Sequence, residues 1–111
     1  MGDLGGDHAA AQVTIATRSD PSGVPIVTLS GELDSSNVAS LEAAVDAVTA
    51  QHLERLIFDL SALRFMDSAG ISVLIGAAAK VDDVQLRDPS QVVRRVIELT
   101  GLSDVLSVEP G

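Results

Sequence analysis

Two acids and a hydroxyl stand where the sequence changes character. In FMDSAGIS, residues 65–72, Asp67 and Ser68 follow an apolar run and precede a helical pattern, with Gly70 two positions on. Asp34, in GELDSSN, closes an earlier extended run in the same way. Three chemistries suit an aspartate and serine so placed: capping of a helix, nucleophilic attack by the hydroxyl, or acceptance of a modifying group. Capping demands least, because a carboxylate or hydroxyl at a helix N-terminus satisfies free amides and complements the positive end of the helix dipole.

Nucleophilic catalysis needs a base beside the serine. The two histidines are His8, in the N-terminal leader, and His52, at the far end of the first predicted helix, where it caps or faces solvent. Neither belongs beside Ser68. The GxSxG elbow is absent, because neither Ser68 nor Ser72 has a glycine two residues away on both sides. No glycine-lysine pair exists in the chain, which removes a Walker phosphate loop. A metal site would have to rely on carboxylates. Asp34 and Asp67 make a weak pair for that purpose, and a solvated acidic rim is the simpler reading. Asp82 and Asp83 read as solvated turn residues ahead of a strand. No cofactor is expected.

The elements that position these residues follow from periodicity. Val13, Ile15 and Thr17 alternate with Thr14, Ala16 and Arg18, the period of a strand. The turn SDPSG leads into a second strand in VPIVTLSGELD, and together they predict an antiparallel hairpin. Pro25 belongs near the start of that strand, since it donates no ladder hydrogen bond. Asp34, Ser35 and Ser36 are candidate caps for an amphipathic helix with Val38, Leu41, Val45 and Val48 on one face. RLIFDLS, residues 55–61, reads as a short central strand buried on both faces. Beyond Ser68, the run through Ile71, Leu74 and the alanines predicts a largely buried helix. A short strand over 84–87 ends at Asp88 and Pro89. Pro89 suits the first turn of a third helix, whose Val92, Val93, Val96 and Ile97 oppose Arg94, Arg95 and Glu98. Gly101 suits the left-handed position after that helix, with Leu102 folding back on Ile97. Val105, Leu106 and Val108 predict a last short strand.

These elements predict an α/β domain with a mixed sheet and helices packed against it. Loops leaving the carboxyl ends of parallel strands share one rim, where functional sites gather. The loops GELDSSN and RFMDSAG should meet there, bringing Asp34 near Asp67 and Ser68.

Composition narrows the class of partner. The chain has 111 residues, enough for one core, expected over 12–111 behind a flexible leader over 1–11. Sixteen acidic against seven basic residues give a net charge of −9, which repels nucleic acid and anionic membranes. A neutral or basic partner is expected. The absence of cysteine suits a reducing cytoplasm and removes thiolate chemistry. No apolar run reaches the length of about 18 residues that a membrane span needs.

SGELD, LIFDLSALRFMDSAGISVLIGA and DPSQVVRRVIELTGL, in that order, resemble the STAS family of anti-sigma factor antagonists. The resemblance covers most of residues 12–108 and implies a STAS-like fold in a small non-enzymatic, cytoplasmic switch domain. It further implies a partner that is an anti-sigma factor and a serine kinase of the GHKL type, bound to free a sigma factor, with a phosphatase to reset the switch. The phosphorylated residue is the serine after the aspartate in the DSxG motif, here Ser68. Asp34, Phe65, Met66, Asp67, Ser68, Ala69 and Gly70 are the implied partner-binding set. The chain is expected as a monomer or weak homodimer. A STAS adapter that never carries phosphate, such as an accessory subunit of a lipid transporter or a sensory scaffold, is the alternative. AAAKVDDVQL is several residues shorter than the family pattern, and SVEPG stands where family members continue into a further helix.

Overall fold

The computed structural model describes residues 12–51, 53–101 and 107–109, the last three as backbone. The leader over 1–11, both histidines, the Leu102 contact and the side chains of Val105 and Leu106 therefore lie outside the described residues. Five strands and three helices follow one another as β1 (Val13–Ser19), β2 (Pro25–Leu33), α1 (Val38–Val48), β3 (Leu53–Met66), α2 (Ser68–Ala78), β4 (Val81–Arg87), α3 (Gln91–Leu99) and β5 (Ser107–Glu109). The sheet order is β1-β2-β3-β4-β5. β1 and β2 pair antiparallel, and every later pair is parallel.

The hairpin forms as the turn chemistry predicts. The Asp20 carboxylate accepts from the amides of Ser22 and Val24 at 2.8 and 2.9 Å, closing the loop with side-chain bonds. Pro25 is the first residue of β2. Farther along, Gly31 has φ +98°, and a Cβ there would collide with the Gln12 carbonyl oxygen of the neighbouring segment. Only glycine fits both demands.

One core lies between sheet and helices. Val27, Leu29 and Leu33 of β2, Leu56, Phe58 and Leu60 of β3, and Val84 and Leu86 of β4 share a single cluster with Leu41 and Val45 of α1, Leu74 of α2, and Val93 and Ile97 of α3. The helical stripe expected on α1 holds, with Leu41 and Val45 buried and Val38 and Val48 packed at its edges.

β3 departs most from expectation, running 14 residues where a seven-residue strand was predicted. Its residues in the main core alternate through Leu56, Phe58 and Leu60, with Ile57 buried outside that cluster, and then step by three to Leu63 and Met66. Each step coincides with a register shift against β2, between Thr28 and Ser30 and between Gly31 and Glu32. An extra residue in one strand resets which face the next side chain takes. The bulges thus keep Leu63 and Met66 inward and carry the strand to the doorstep of Asp67.

Three smaller corrections follow. β4 begins at Val81, so Asp82 and Asp83 lie in the strand rather than in a turn, and Asp83 pairs with its register neighbour Arg55 at 3.1 Å. α3 starts at Gln91 with Ser90 as its cap, its hydroxyl accepting from the Val93 amide at 3.3 Å, which leaves Pro89 outside the helix. α2 buries one face through Gly70, Ile71, Leu74 and Ala77, while Ile75 stays 45% exposed, with no further layer over that side among the described residues.

Candidate functional site

β2 ends at Leu33 and β3 at Met66, and these residues are register partners. The Asp67 amide donates to the Leu33 carbonyl at 3.2 Å, locking the two strand ends together. Asp34 and Asp67 therefore leave adjacent parallel strands at the same rim, as the topology predicts.

The loop bearing Asp34 is built by its own side chains. The Asp34 carboxylate accepts from the Ser36 hydroxyl at 2.6 Å and from the Ser36 amide at 2.8 Å. These bonds stabilise the charged form and hold its pKa below the ordinary 3.8. Asn37 completes the turn: its amide nitrogen donates to the Glu32 carbonyl at 2.9 Å, and its amide oxygen accepts from the Asp34 backbone at 3.0 Å. Asn37, rather than Asp34, Ser35 or Ser36, occupies the cap position of α1, and its side chain makes no capping bond there. Asp34 and Ser36 of the predicted caps instead bond to each other in the turn ahead of the helix.

At α2 the division of labour is clear. Asp67 is the N-cap, its carboxylate accepting from the Ala69 amide at 2.9 Å. Ser68 is the first helical residue, exposed, and its hydroxyl makes no hydrogen bond among the described residues. Its carbonyl accepts from the Ser72 hydroxyl at 3.0 Å, one turn along. The cap of α2 is thus the Asp67 carboxylate, and the Ser68 hydroxyl takes no part in it.

Burial divides the rest of the motif. Phe65 is 42% exposed, whereas Met66 is fully buried and Gly70 is buried. Ala69 and Asp67 are half-buried. Of the predicted set, Asp34, Phe65, Asp67, Ser68 and Ala69 are accordingly open at the surface, and Met66 and Gly70 are not. These two serve that surface from below. A Cβ on Gly70 would lie 2.6 Å from Met66 Cγ and 2.7 Å from Leu33 Cδ2, so the bare glycine lets α2 sit close over the two strand ends. Beside Phe65, Arg64 reaches Glu32 across the strands at 3.6 Å.

The domain is a mixed α/β sheet whose parallel strands β2 and β3 bring Asp34 and Asp67 to one rim, with Ser68 exposed at the start of α2 beside them. The sequence pattern of the STAS domain matches residues 16–111, and the chain belongs to that family. It is 35% identical over 91 residues to the anti-sigma-F factor antagonist RsfB of Mycobacterium tuberculosis, covering 78% of this chain and 73% of the relative. An anti-sigma factor antagonist from Mycobacterium paratuberculosis superposes with a TM-score of 0.84 at 31% identity, covering 90% and 87% of the two chains. The Bacillus protein SpoIIAA, solved unphosphorylated and phosphorylated, gives TM-scores of 0.68 and 0.60 at 27% and 26% identity, over 90% of this chain and 88% and 91% of those. No helix among the described residues is long and apolar enough to cross a membrane.

Proposed function

We propose that this protein is an anti-sigma factor antagonist, active when Ser68 is bare and switched off when Ser68 is phosphorylated. One observation carries the reading: Ser68 stands exposed at the start of α2 with a hydroxyl bonded to nothing among the described residues, while Asp67 does the capping. The names of the relatives, and a related protein solved with and without phosphate, support the same reading. The partner is a GHKL-type anti-sigma factor with serine kinase activity. In the transfer, the Ser68 oxygen bonds the γ-phosphorus of ATP, the bridging bond to ADP breaks, and the hydroxyl proton passes to a base on the kinase. A phosphatase reverses the state by hydrolysis.

The physical consequence is electrostatic. Phosphate adds about −1.5 to −2 charges at Ser68, to a chain already at −9. The start of a helix stabilises an anion, so the fold survives. Binding does not, since an unpaired charge within an interface costs roughly 2–5 kcal/mol, about one and a half to three and a half decades of affinity at about 1.4 kcal/mol each. The test incubates the protein with the anti-sigma serine kinase and ATP and maps phosphate by mass spectrometry. Modification confined to Ser68, lost in Ser68→Ala, is expected. Phosphate still accepted by Ser68→Ala would overturn the assignment, and co-purification with a transporter ATPase in place of a kinase would favour the non-cycling adapter.

A further inference from the structure

Gly76 lies inside α2 with no steric reason to be glycine. A Cβ built on it meets nothing within 4 Å among the described residues, and its backbone is outside the left-handed region. Glycine weakens a helix interior relative to alanine. Gly70, six residues earlier, has its reason within the chain; Gly76 has none there. What Gly76 does is keep one wall low in a groove of about 520 Å³ between α1 and α2. Ser72 and Val73 share that wall, and Glu42 and Asp46 stand on the wall of α1. Lys80 also lines the groove and neutralises Asp46 at 2.8 Å. Glu42 has no ion-pair partner among the described residues. Ser68, Ser72 and Gly76 follow at intervals of four, so the exposed ridge of α2 leads from the rim into the groove.

We infer that this groove receives a segment of the anti-sigma partner, one apolar side chain seated over Gly76 and a neighbouring Lys or Arg paired with Glu42. The inference rests on the function proposed above and adds a second contact away from Ser68. Charge selects this occupant: the groove carries the uncompensated Glu42, and the chain carries −9, so a second copy or an acidic segment is repelled while a basic one is drawn in.

The probe is the kinase that phosphorylates Ser68 in the mapping assay. Gly76→Leu fills the groove and favours the helix, so its melting temperature should equal or exceed that of the unaltered protein while partner affinity falls by about tenfold or more. Glu42→Lys should weaken binding and flatten its salt dependence. In both, the KM for phosphorylation of Ser68 should rise with kcat unchanged, the signature of lost binding common to ground and transition states. Unaltered affinity and KM in both variants, with Ser68→Asp still abolishing binding, overturns the groove and leaves the switch intact. If the unaltered protein binds no such kinase, both fall. Self-association that Gly76→Leu abolishes in sedimentation equilibrium would give the groove to a second copy and overturn this assignment.

Discussion

Replacing Gly70 with alanine adds one methyl where α2 crosses the ends of β2 and β3. The new carbon would stand 2.6 Å from Met66 Cγ, 2.7 Å from Leu33 Cδ2 and 2.9 Å from Met66 Sδ, against an ordinary contact range of 3.4–4 Å. Leu33 and Met66 are both fully buried, so neither side chain has solvent to move into. Overpacking of a closed core costs about 1–3 kcal/mol, and three simultaneous collisions put this case near the upper end. Alanine returns about 1 kcal/mol through helix propensity. The net destabilisation is about 2 kcal/mol, a fall in melting temperature of roughly 8 °C for a domain of this size. Urea unfolding of Gly70→Ala, Met66→Ala and the double variant checks the mechanism as well as the size. Met66→Ala alone should cost about 2–5 kcal/mol through its cavity. In the double variant the added methyl occupies space that Met66 vacated, so the total should fall short of the sum by about 1 kcal/mol or more. Additivity within about 0.5 kcal/mol, or an unchanged Gly70→Ala, would refute the packing argument.

The remaining predictions concern the rim and the hairpin. Asp67→Ala should lose about 1 kcal/mol as the cap is removed, while Ser68→Ala stays within about 0.5 kcal/mol because its hydroxyl bonds nothing among the described residues; chemical denaturation compares the two. Asp34 titrates below 3.8 in the folded protein, so the unfolded chain binds its proton more readily. The resulting stabilisation is present above the unfolded pKa and fades as pH falls through the folded one. Carboxyl NMR should show that titration moving upward in Ser36→Ala. Gly31→Ala should cost roughly 2–5 kcal/mol by combining left-handed strain with a backbone collision, visible as poor expression or a collapsed thermal transition.

Much of this architecture is legible in the chain itself, for reasons that differ by element. The α1 stripe of Val38, Leu41, Val45 and Val48 announces its buried face because a single helix obeys a single period. The hairpin does so because Asp20 and its neighbours carry turn chemistry. The second half of β3 escapes such reading: Leu60, Leu63 and Met66 step by three, a spacing that a strand adopts only where bulges intervene, and bulges arise from pairing with β2. LRFM consequently looks like the start of a loop. Asp34 and Asp67 were placed on a common rim by topology alone, yet the inward turn of Met66 and Gly70 depends on how tightly α2 approaches the strand ends. Asn37 offered a signal, a capping residue type just ahead of the helical pattern, that was masked by three competitors before it. The groove beside Gly76 has no one-dimensional signature, because its width is a distance between two helices.

The separation of cap from hydroxyl at the start of α2 bears on how such a protein would carry information in a cell. Under the function proposed above, the Asp67 cap would stay in place with Ser68 bare or phosphorylated, so loss of that cap would not separate the stabilities of the two states. Quality-control proteases, which sample unfolded chains, would then remove both at the same rate. If the proposed function holds, the total amount of protein would then be indifferent to the signal and only the fraction modified would change. Such a switch would be reset without new synthesis, its set point governed by the opposing enzymes.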